Sequence, residues 1–411
     1  MSSLSAFLFI LQDVIPLLEL LSDEKTWERF YEYKSSLALE KQFMKELRVF
    51  IDNKEYLSVC ENIKSGSPFP LASRSVISKL GTTKKRVVYT YPDKENTVLK
   101  LLTYLLLRKY DGVFSPDLFS FRPGKTAKDA VRWILGIPDI ESMYSYKADV
   151  SNYFNSVNVK YFLPILKETL GDDRELYEFL SGLLIEKRVY EKGDIIEEEK
   201  GIMAGTPLSA FYANIYLKDI DRYFYERRIP YARYSDDIIL FSKSASELEQ
   251  HIAYVHSALD AKGLFLNSDK EVFTGKGESW TFLGFICKGK TVDISPVSVT
   301  KLKSKMRRKR DALMRWKKRN GYDGVKAAKA FIRIFNRKLF ECPADNELSW
   351  SRWFFPVINT SKSLHEIDLY AQDCVRYLIS GRHTKSRFNV RYGDLKTLGY
   401  RALVNEFYKI K

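Results

Sequence analysis

The segment that most constrains the fold is residues 231–241, YARYSDDIILF, in which two adjacent acids lie between short β-prone runs. This pattern predicts a β-hairpin whose tight turn carries both Asp236 and Asp237. Two carboxylates so close repel each other unless a cation lies between them, so the pair indicates a metal site. The alternative is that aspartate is present only because it favours turns.

A strand upstream supplies a third carboxylate. In residues 144–150, YSYKADV, alternation places Asp149 on the face opposite to the apolar side chains. We therefore expect Asp149 to face out of the sheet and, if this strand pairs with the hairpin, to meet Asp236 and Asp237 in one cleft. Such a cluster suits two Mg²⁺ ions about 3.5–4 Å apart, which activate an attacking hydroxyl and stabilise a leaving phosphate oxygen. The chemistry that this pattern predicts is nucleotidyl transfer.

Six sequence blocks resemble the motifs of the reverse transcriptases, and of the bacterial enzymes in particular, in the order that the family has them. The resemblance covers roughly residues 81 to 290. The blocks are FSFRPGKTA at 119–127 (similar to the second conserved block of group II intron enzymes), DVSNYF at 149–154 (motif A), GIMAGTPLS at 201–209 with ANIYL at 213–217 (motif B), YSDD at 234–237 (motif C), GLFLN at 263–267 with Lys270 (motif D) and FLGF at 282–285 (motif E).

Within this lineage of group II intron and retron-like enzymes, the chain most resembles the stand-alone, defence-associated (abortive-infection-type) reverse transcriptases. Retron enzymes are usually shorter and carry a Val-Thr-Gly signature in the thumb, which this sequence lacks. The four histidines and four cysteines do not combine at metal-binding spacing, so no zinc-dependent homing endonuclease is predicted.

The resemblance implies an α+β fold, namely a right-hand polymerase with fingers, a ferredoxin-like palm and a helical thumb, plus helical extensions at the N- and C-terminal ends. We expect a helical N-terminal extension over residues 1–80, and fingers and palm over 81–295. A basic helical thumb and C-terminal region should occupy 296–411.

The same resemblance assigns the metal ligands. Asp149 and Asp236 would hold two Mg²⁺ ions, for which Mn²⁺ can substitute, and Asp237 would be a weaker, supporting ligand. The backbone carbonyl of Val150 would complete a metal shell. Lys270 would protonate or neutralise the departing pyrophosphate, and its alternative is an ordinary surface lysine.

Nucleotide contacts are also implied. The ring of Phe154 would lie beneath the incoming sugar and exclude a 2′-hydroxyl, which favours DNA synthesis; its alternative is a core aromatic. Gly205 would permit close backbone approach. Arg122 would bind phosphate oxygens, or else form a structural salt bridge. Lys85 and Arg86 would approach the template or the triphosphate, or else belong to a solvated charge run.

Motif B departs from the family pattern at one position. Many relatives have a glutamine where this chain has Ala204. A glutamine can hydrogen-bond on the template side of the nascent base pair, whereas a methyl group cannot. The departure bears on how the template is positioned and not on the metal chemistry.

Charge points to a polyanionic partner. The net charge is +15, and eleven Lys or Arg residues but only one acid lie between positions 300 and 319. Apolar residues recur there at helical spacing, so we predict an amphipathic helix with a basic face that grips an RNA–DNA duplex, with a merely solvated face as the alternative. The predicted nucleic-acid contacts are Lys305, Arg308, Lys309, Arg315, Lys318 and Arg319.

The remaining segments are less specific. Residues 4–21 are apolar but interrupted by acids and a proline, and with Trp27, Phe30, Leu37 and Leu39 they predict packed helices, with no membrane partner. Aromatic residues near 350–355 and basic residues at 382–391 would stack on or bind RNA, although core packing explains the aromatics as well. The cysteines are far apart and predict reduced thiols in a bacterial cytoplasmic protein; they are Cys60, Cys287, Cys342 and Cys374.

Three functions are open at this point. The first is DNA synthesis from deoxynucleoside triphosphates on a structured non-coding RNA template, in defence against phage. The second is a group II intron-type maturase that acts in splicing and mobility. The third is a binding scaffold without catalysis, against which the intact acidic triad argues, because converging carboxylates without cations cost stability.

Overall fold

The computed structural model describes residues 15–37, 41–78, 85–171, 173–341 and 349–410. The chain divides into two compact units. The first comprises Met1–Ser36 and Phe43–Lys276, and the second comprises Leu37–Gln42 and Gly277–Lys411. The main segment of the second unit therefore begins at Gly277, whereas the sequence predicts a domain boundary at 296.

As far as Lys276 the described helices and strands alternate in an α+β pattern. The helices are α1 (Leu17–Leu20), α2 (Glu24–Ser36), α3 (Lys41–Asp52), α4 (Tyr56–Lys64), α5 (Asp93–Lys109), α6 (Ala127–Leu135), α7 (Tyr153–Ser156), α8 (Val159–Leu170), α9 (Arg174–Ile185), α10 (Ser209–Tyr216), α11 (Lys218–Glu226) and α12 (Ala245–Asp260). The strands are β1 (Ser73–Ser78), β2 (Lys85–Thr90), β3 (Tyr144–Asp149), β4 (Arg188–Glu191), β5 (Asp194–Glu197), β6 (Tyr231–Tyr234), β7 (Asp237–Ser242) and β8 (Val272–Thr274). Short 3₁₀ turns occupy Asp111–Val113, Ile140–Ser142 and Ser268–Lys270.

The palm sheet has the strand order β6-β7-β3-β8, with every neighbouring pair antiparallel. Helices lie between β3 and β6 in the chain, and α12 lies between β7 and β8. This order is the ferredoxin-like arrangement that the sequence predicts. The inward face of β3 carries Tyr146 and Ala148, which are buried, and alternation sends Asp149 to the other face.

A second sheet, called the fingers sheet after the domain predicted from residue 81 onward, has the order β2-β1-β4-β5. Strand β1 pairs with β2 in antiparallel register and touches β4 in parallel. The segment predicted as a helical extension, residues 1–80, therefore ends in a strand, and its last helix stops at Lys64. The β-branched residues of β1, which include Val76 and Ile77, favour this strand, and the sequence prediction did not use them.

Trp27 and Phe30 of the N-terminal helices are buried as predicted, whereas Leu37 is exposed because helix α2 ends at Ser36. Trp27 is fully buried, stacks on Tyr56 at 4.8 Å between ring centroids, and donates its indole N–H to the Leu21 carbonyl at 2.8 Å. Residues 4–14 of the predicted apolar segment, and Leu39, lie outside the described residues. Among the residues described, no helix is long and apolar enough to cross a membrane. One apolar core runs through this unit from Leu17 to Leu264.

The second unit combines a three-stranded sheet with helices. The strands are β9 (Trp280–Phe282), β10 (Phe285–Lys288) and β11 (Thr291–Ile294), in the order β11-β10-β9. The helices are α13 (Pro296–Asn320), α14 (Gly324–Phe340), α15 (Trp350–Phe354), α16 (Lys362–Ser380), α17 (Tyr392–Thr397) and α18 (Leu403–Tyr408), and a 3₁₀ turn spans Lys385–Asn389. The motif E block thus lies in this unit, outside the palm sheet.

Helix α13 is the basic helix that the sequence predicts. Ser295 caps its N-terminus, and Gly321, in the left-handed region at φ 63°, ends it. Leu302, Met306 and Leu313 are buried along one side. Its exposed basic residues are Lys301, Lys305, Arg307, Arg308, Lys309, Arg315, Lys318 and Arg319.

Aromatic residues and cysteines of the second unit serve its core. Phe354 and Phe355 are buried, and Phe354 meets Phe285 edge-on at 5.1 Å. Core packing therefore accounts for these two aromatics. Cys287 and Cys374, like Cys60 of the first unit, are buried free thiols, as predicted, whereas Cys342 lies outside the described residues.

Candidate active site

The end of β3 lies against the acidic hairpin. Strands β3 and β7 pair in antiparallel register with Asp149 opposite Asp237, and the Val150 amide donates to the Asp236 carbonyl at 3.0 Å. The predicted hairpin and its pairing with β3 are confirmed. All three carboxylates therefore belong to one corner of the palm sheet, where β3 ends and β7 begins.

A buried ion pair fixes the hairpin from behind. The Arg233 guanidinium donates to both carboxylate oxygens of Asp221 at 2.6–2.7 Å, and both side chains are fully buried. Arg233 also donates to the carbonyls of Ser235, at 3.1 Å, and of Asn214, at 3.1 Å. Ser235 has a left-handed backbone at φ 61°, and it directly precedes Asp236. Arg233 thus connects the turn to helices α10 and α11.

Burial and mutual repulsion act on the two hairpin acids. Burial raises the pKa of the Asp237 carboxyl to about 6; Lys147 opposes this rise, and Asp236 and Asp149 add to it. Burial, followed by the charge of Asp149, also raises the pKa of Asp236. Because the carboxylates affect one another in this way, they share one electrostatic site. A divalent cation between these carboxylates would offset both the cost of burying their charges and their mutual repulsion.

The segment after α12 brings Lys270 to Asp149. The Asn267 amide donates to the Asp149 carbonyl at 2.8 Å, and the Ser151 amide donates to the Phe265 carbonyl at 2.8 Å. These bonds place the following 3₁₀ turn so that Lys270 Nζ lies 2.5 Å from Asp149 Oδ2. On strand β3, two residues before Asp149, Lys147 places its Nζ 3.7 Å from Asp237 Oδ1.

The oxygen atoms at this corner are of the kind that a hard divalent cation prefers as ligands. Carboxylates and a backbone carbonyl are the oxygen ligands that Mg²⁺ prefers. Over the described part of the chain, no three Asp, Glu, His or Cys side chains lie in an arrangement that would hold an ion as placed. Asp149 and Asp237 each lie within ion-pair distance of a lysine, so a bound ion would compete with Lys270 and Lys147 for these carboxylates.

Phe154 follows the acid-bearing end of β3 by five residues and lies in the short helix α7. It is half-buried, and the Arg86 guanidinium lies 5.9 Å from its ring centroid. Its carbonyl accepts the Ile202 amide at 2.8 Å. A side chain on Gly201 would place its Cβ 2.4 Å from that carbonyl oxygen, so the motif B loop can lie this close only with glycine there.

The next residue, Asn155, joins three segments. Its Nδ2 donates to the Val87 carbonyl at 3.1 Å, and its Oδ1 accepts the Ala204 amide at 3.1 Å. The Ala204 carbonyl in turn accepts the Tyr89 amide at 2.8 Å. Asn155 therefore sets the distance between the Phe154 segment, strand β2 and the motif B loop.

A family model described as "Reverse transcriptase (RNA-dependent DNA polymerase)" matches residues 77–287, just over half of the chain. The chain belongs to the reverse transcriptase family. This membership confirms the α+β right-hand polymerase fold class. The match includes all three acids of the site.

Three telomerase structures are among those similar to this reverse transcriptase. Apo telomerase from Candida tropicalis, truncated from its C-terminal domain, is 15% identical with a TM-score of 0.44, over 55% of each chain. Telomerase from Candida albicans in complex with a TWJ fragment of telomeric RNA is 12% identical with a TM-score of 0.43, over 82% of this chain and 67% of that one. A second apo structure from C. tropicalis is 13% identical with a TM-score of 0.45, over 80% and 68%. The chain spans about half the length of the first of these structures. No curated protein sequence matches it significantly.

One predicted nucleotide contact of this reverse transcriptase is corrected. The Arg122 side chain is nearly buried, and its Nε and Nη2 bind the Asp111 carboxylate at 2.7 and 2.9 Å. Its Nη1 donates to the carbonyls of Ser115, at 2.7 Å, and Leu118, at 3.3 Å, and Nη2 also reaches the Asp111 carbonyl at 3.3 Å. All five guanidinium N–H groups are thus used, and the structural salt bridge is the alternative that holds.

The other residues predicted to contact the nucleotide differ in where the structure places them. Arg86 lies by Phe154, whereas Lys85, the adjacent residue of β2, projects by alternation from the opposite face of the fingers sheet. Gly205 has a φ of 103°, and a Cβ on this residue would lie 3.0 Å from the Tyr89 carbonyl oxygen, so here the close approach is to β2. Sequence reasoning missed Asn155, whose partners lie 68 and 49 residues away, and Arg233, whose ion-pair partner Asp221 lies on helix α11. Alternation puts Lys147 on the same face as Asp149, but no role was predicted for it from the sequence.

Proposed function

We propose that this protein is an RNA-directed DNA polymerase that extends a primer with deoxynucleotides by metal-assisted nucleotidyl transfer. The observation that carries the proposal is the register of β3 against β7, which puts Asp149 opposite Asp237 and beside Asp236 in a chain of the reverse transcriptase family. A scaffold would have no use for three mutually repelling acids, one buried and two half-buried, at one corner of a sheet.

In the proposed reaction, the 3′-hydroxyl of the primer attacks the α-phosphate of the nucleotide, and pyrophosphate leaves. Asp149 and Asp236 would hold two Mg²⁺ ions, with Asp237 and the Val150 carbonyl in support; bound there, the ions supply activation of the hydroxyl and stabilisation of the leaving oxygen. Lys270, which contacts Asp149, would donate a proton to the pyrophosphate or neutralise its charge.

The test uses the purified full-length chain with an RNA template, an annealed DNA primer and Mg²⁺. We expect extension of the primer that requires the template and all four deoxynucleotides and is abolished by EDTA. The same primer on a DNA template of equal sequence measures template preference. Absence of extension with both Mg²⁺ and Mn²⁺, on every template and also on nucleic acid that co-purifies with the protein, would contradict the proposal.

Phe154 provides a prediction about sugar selection. Removing its ring in Phe154→Ala removes the surface expected to collide with a 2′-hydroxyl, so the preference for deoxynucleotides over ribonucleotides should fall about 10- to 100-fold. The measurement is the ratio of kcat/KM for one deoxynucleotide and its ribonucleotide. Phe154→Tyr keeps the ring and should keep the preference. An unchanged ratio in Phe154→Ala would show that the ring is only a packing residue.

Asn155 provides a prediction about positioning. Asn155→Ala leaves the Val87 carbonyl and the Ala204 amide without their partner, a cost of about 1–3 kcal/mol. We expect KM for the nucleotide to rise about tenfold while kcat changes less, because the motif B loop and β2 lose their spacing. Asn158→Ala is the matched control, since Asn158 caps helix α8 through the Lys160 amide and joins no second segment. Equal effects of the two variants on KM would refute the positioning role.

For the biological role we propose antiviral DNA synthesis on a structured non-coding RNA in the bacterial cytoplasm. Support comes from the net charge of +15, from Ala204 in place of the more usual glutamine, and from the resemblance to defence-associated enzymes. Sequencing the RNA and DNA bound to the protein purified from cells tests this role: one RNA with complementary DNA is expected. Recovery of flanking intron RNA instead would favour the maturase.

A further inference from the structure

A loop in the second unit has an unusual composition. Residues 382–391, RHTKSRFNVR, contain four Lys or Arg residues and a histidine, and no acid. The loop begins directly after Gly381, whose left-handed backbone ends helix α16, and it contains the 3₁₀ turn Lys385–Asn389. Most of its residues are exposed.

An exposed aromatic ring lies within this charged loop. Phe388 is 53% exposed although it is the largest apolar residue of the loop. The guanidinium of Arg387 lies 4.6 Å from its ring centroid, and that of Arg376, on helix α16, lies 5.4 Å from it. Two cations thus flank a ring that retains a surface open to solvent.

The two arginines are themselves held in place. Arg387 Nε binds Asp373 Oδ1 at 2.5 Å, and its Nη1 donates to the His383 carbonyl. Arg376 Nε donates to the Val390 carbonyl at 3.0 Å. The bonds to Arg387 and Val390 tie the middle and the C-terminal end of the loop to α16, so less backbone freedom remains to be lost on binding.

A second stack connects the loop to the basic helix. His383 stacks on Tyr377 of α16 at 4.0 Å between ring centroids, with 20° between the planes. The guanidinium of Arg310, on helix α13, lies 5.1 Å from the centroid of the Tyr377 ring. The acid-free loop is therefore continuous, through Tyr377, with the helix that carries more exposed Lys and Arg residues than any other described helix of this unit.

We propose that the 382–391 loop is a binding site for unpaired RNA, in which a base stacks on Phe388 while Arg382, Lys385 and Arg391 bind the flanking phosphates. A flat open ring among cations suits a base and its backbone, because every base offers a stacking face and every linkage a negative charge. A duplex hides its base faces, so this site differs in ligand from the duplex-gripping role expected of α13. The inference depends on the proposed polymerase only in its choice of RNA over DNA.

An anionic membrane or an acidic protein fits the loop less well. The 3₁₀ turn is five residues long, too short to present the amphipathic helical face by which proteins lie on membranes. An acidic protein segment would satisfy the charges but would not use the exposed ring.

The test measures equilibrium binding of the full-length protein to a fluorescent 20-nucleotide RNA, once unpaired and once in a duplex, without nucleotides. Phe388→Ala should weaken binding of the unpaired RNA about tenfold and binding of the duplex less than twofold, whereas Phe388→Trp should bind both as the wild type does. The control Tyr408→Ala removes an equally exposed aromatic ring of the same unit and should change neither affinity.

Charge reversal tests the phosphate contacts. Arg382→Glu/Lys385→Glu should weaken binding of the unpaired RNA and lower the slope of log K against log salt by about 1.4, since each phosphate contact with a single strand contributes about 0.7. Lys329→Glu/Arg333→Glu changes the net charge equally on exposed positions of helix α14 and should leave that slope near the wild-type value. Slopes that fall equally in the two double variants would overturn the proposal, as would wild-type affinity of Phe388→Ala for unpaired RNA.

The RNA-binding measurements can be interpreted independently of the polymerase proposal. Phe388→Ala should extend a short annealed template–primer at the wild-type rate, because the loop is not part of the acidic site. If no variant extends a primer, the polymerase proposal fails, and the binding data still decide the RNA site. The loop would be structural if three variants lost binding of both unpaired and duplex RNA and also had lower melting temperatures. These variants are Phe388→Ala, Phe388→Trp and the Arg382/Lys385 double variant.

Discussion

Asp236→Asn is expected to lower the rate of DNA synthesis by about 10³-fold or more, because metal assistance contributes several kcal/mol of transition-state stabilisation. The substitution keeps the size of the side chain and removes only its charge. The backbone contact of this residue, which accepts the Val150 amide through its carbonyl, is unaffected. Folding should therefore be preserved while metal affinity and turnover fall. The measurement is single-turnover primer extension across a Mg²⁺ titration.

The matched control is Asp269→Asn, which removes an exposed acid from the turn that carries Lys270. It should retain extension within about twofold, since exposed charges away from the reacting atoms have small effects. Asp236→Asn should bind template RNA as the wild type does. If Asp236→Asn extends primers normally at saturating Mg²⁺, the acidic corner is not the catalytic centre. If Asp236→Asn also abolishes phage protection, defence depends on synthesis; protection that persists would separate the two proposals.

The acidic corner was predictable because its determinants are local. The pattern YSDD between β-prone runs specifies a hairpin, and alternation in residues 144–150 specifies the face of Asp149. Only the pairing of β3 with β7 had to be assumed, and the structure has it in register. The basic helix α13 was predictable for the same reason, since its apolar residues recur with a helical period over 25 residues.

Polar contacts between side chains and neighbouring segments were not predictable. Arg122 lies in a block that resembles a nucleotide-binding motif, but Asp111 and two carbonyls use all of its donors, and no periodic pattern encodes that encounter. Asn155 likewise has partners 68 and 49 residues away. The strand β1 was missed because the helical character of the preceding segment was extended too far, past Lys64. What the motifs identify is the chemistry, and what they omit is the polar framework that holds it.

The buried pair of Asp221 and Arg233 is the part of that framework with the largest expected effect on stability. Asp221→Ala leaves a fully buried guanidinium without its bidentate partner and also removes the acceptor of the Tyr231 hydroxyl, at 2.8 Å. Breaking a buried pair in this way costs about 3–5 kcal/mol of unfolding free energy. Urea denaturation of the full-length chain measures the loss.

The control is the double variant Asp221→Leu/Arg233→Met, which removes both charges together. An uncompensated charge is the main cost of the single change, so the double variant should be less destabilised than Asp221→Ala, even though it has lost more hydrogen bonds. It should nevertheless polymerise poorly, because Arg233 no longer holds the Ser235 carbonyl beside Asp236. A double variant that is as unstable as Asp221→Ala, or more so, would mean that the uncompensated charge is not the main cost. Wild-type turnover in the double variant would mean that the turn keeps its shape without Arg233, and the acidic corner would then owe its geometry to the pairing of β3 and β7 alone.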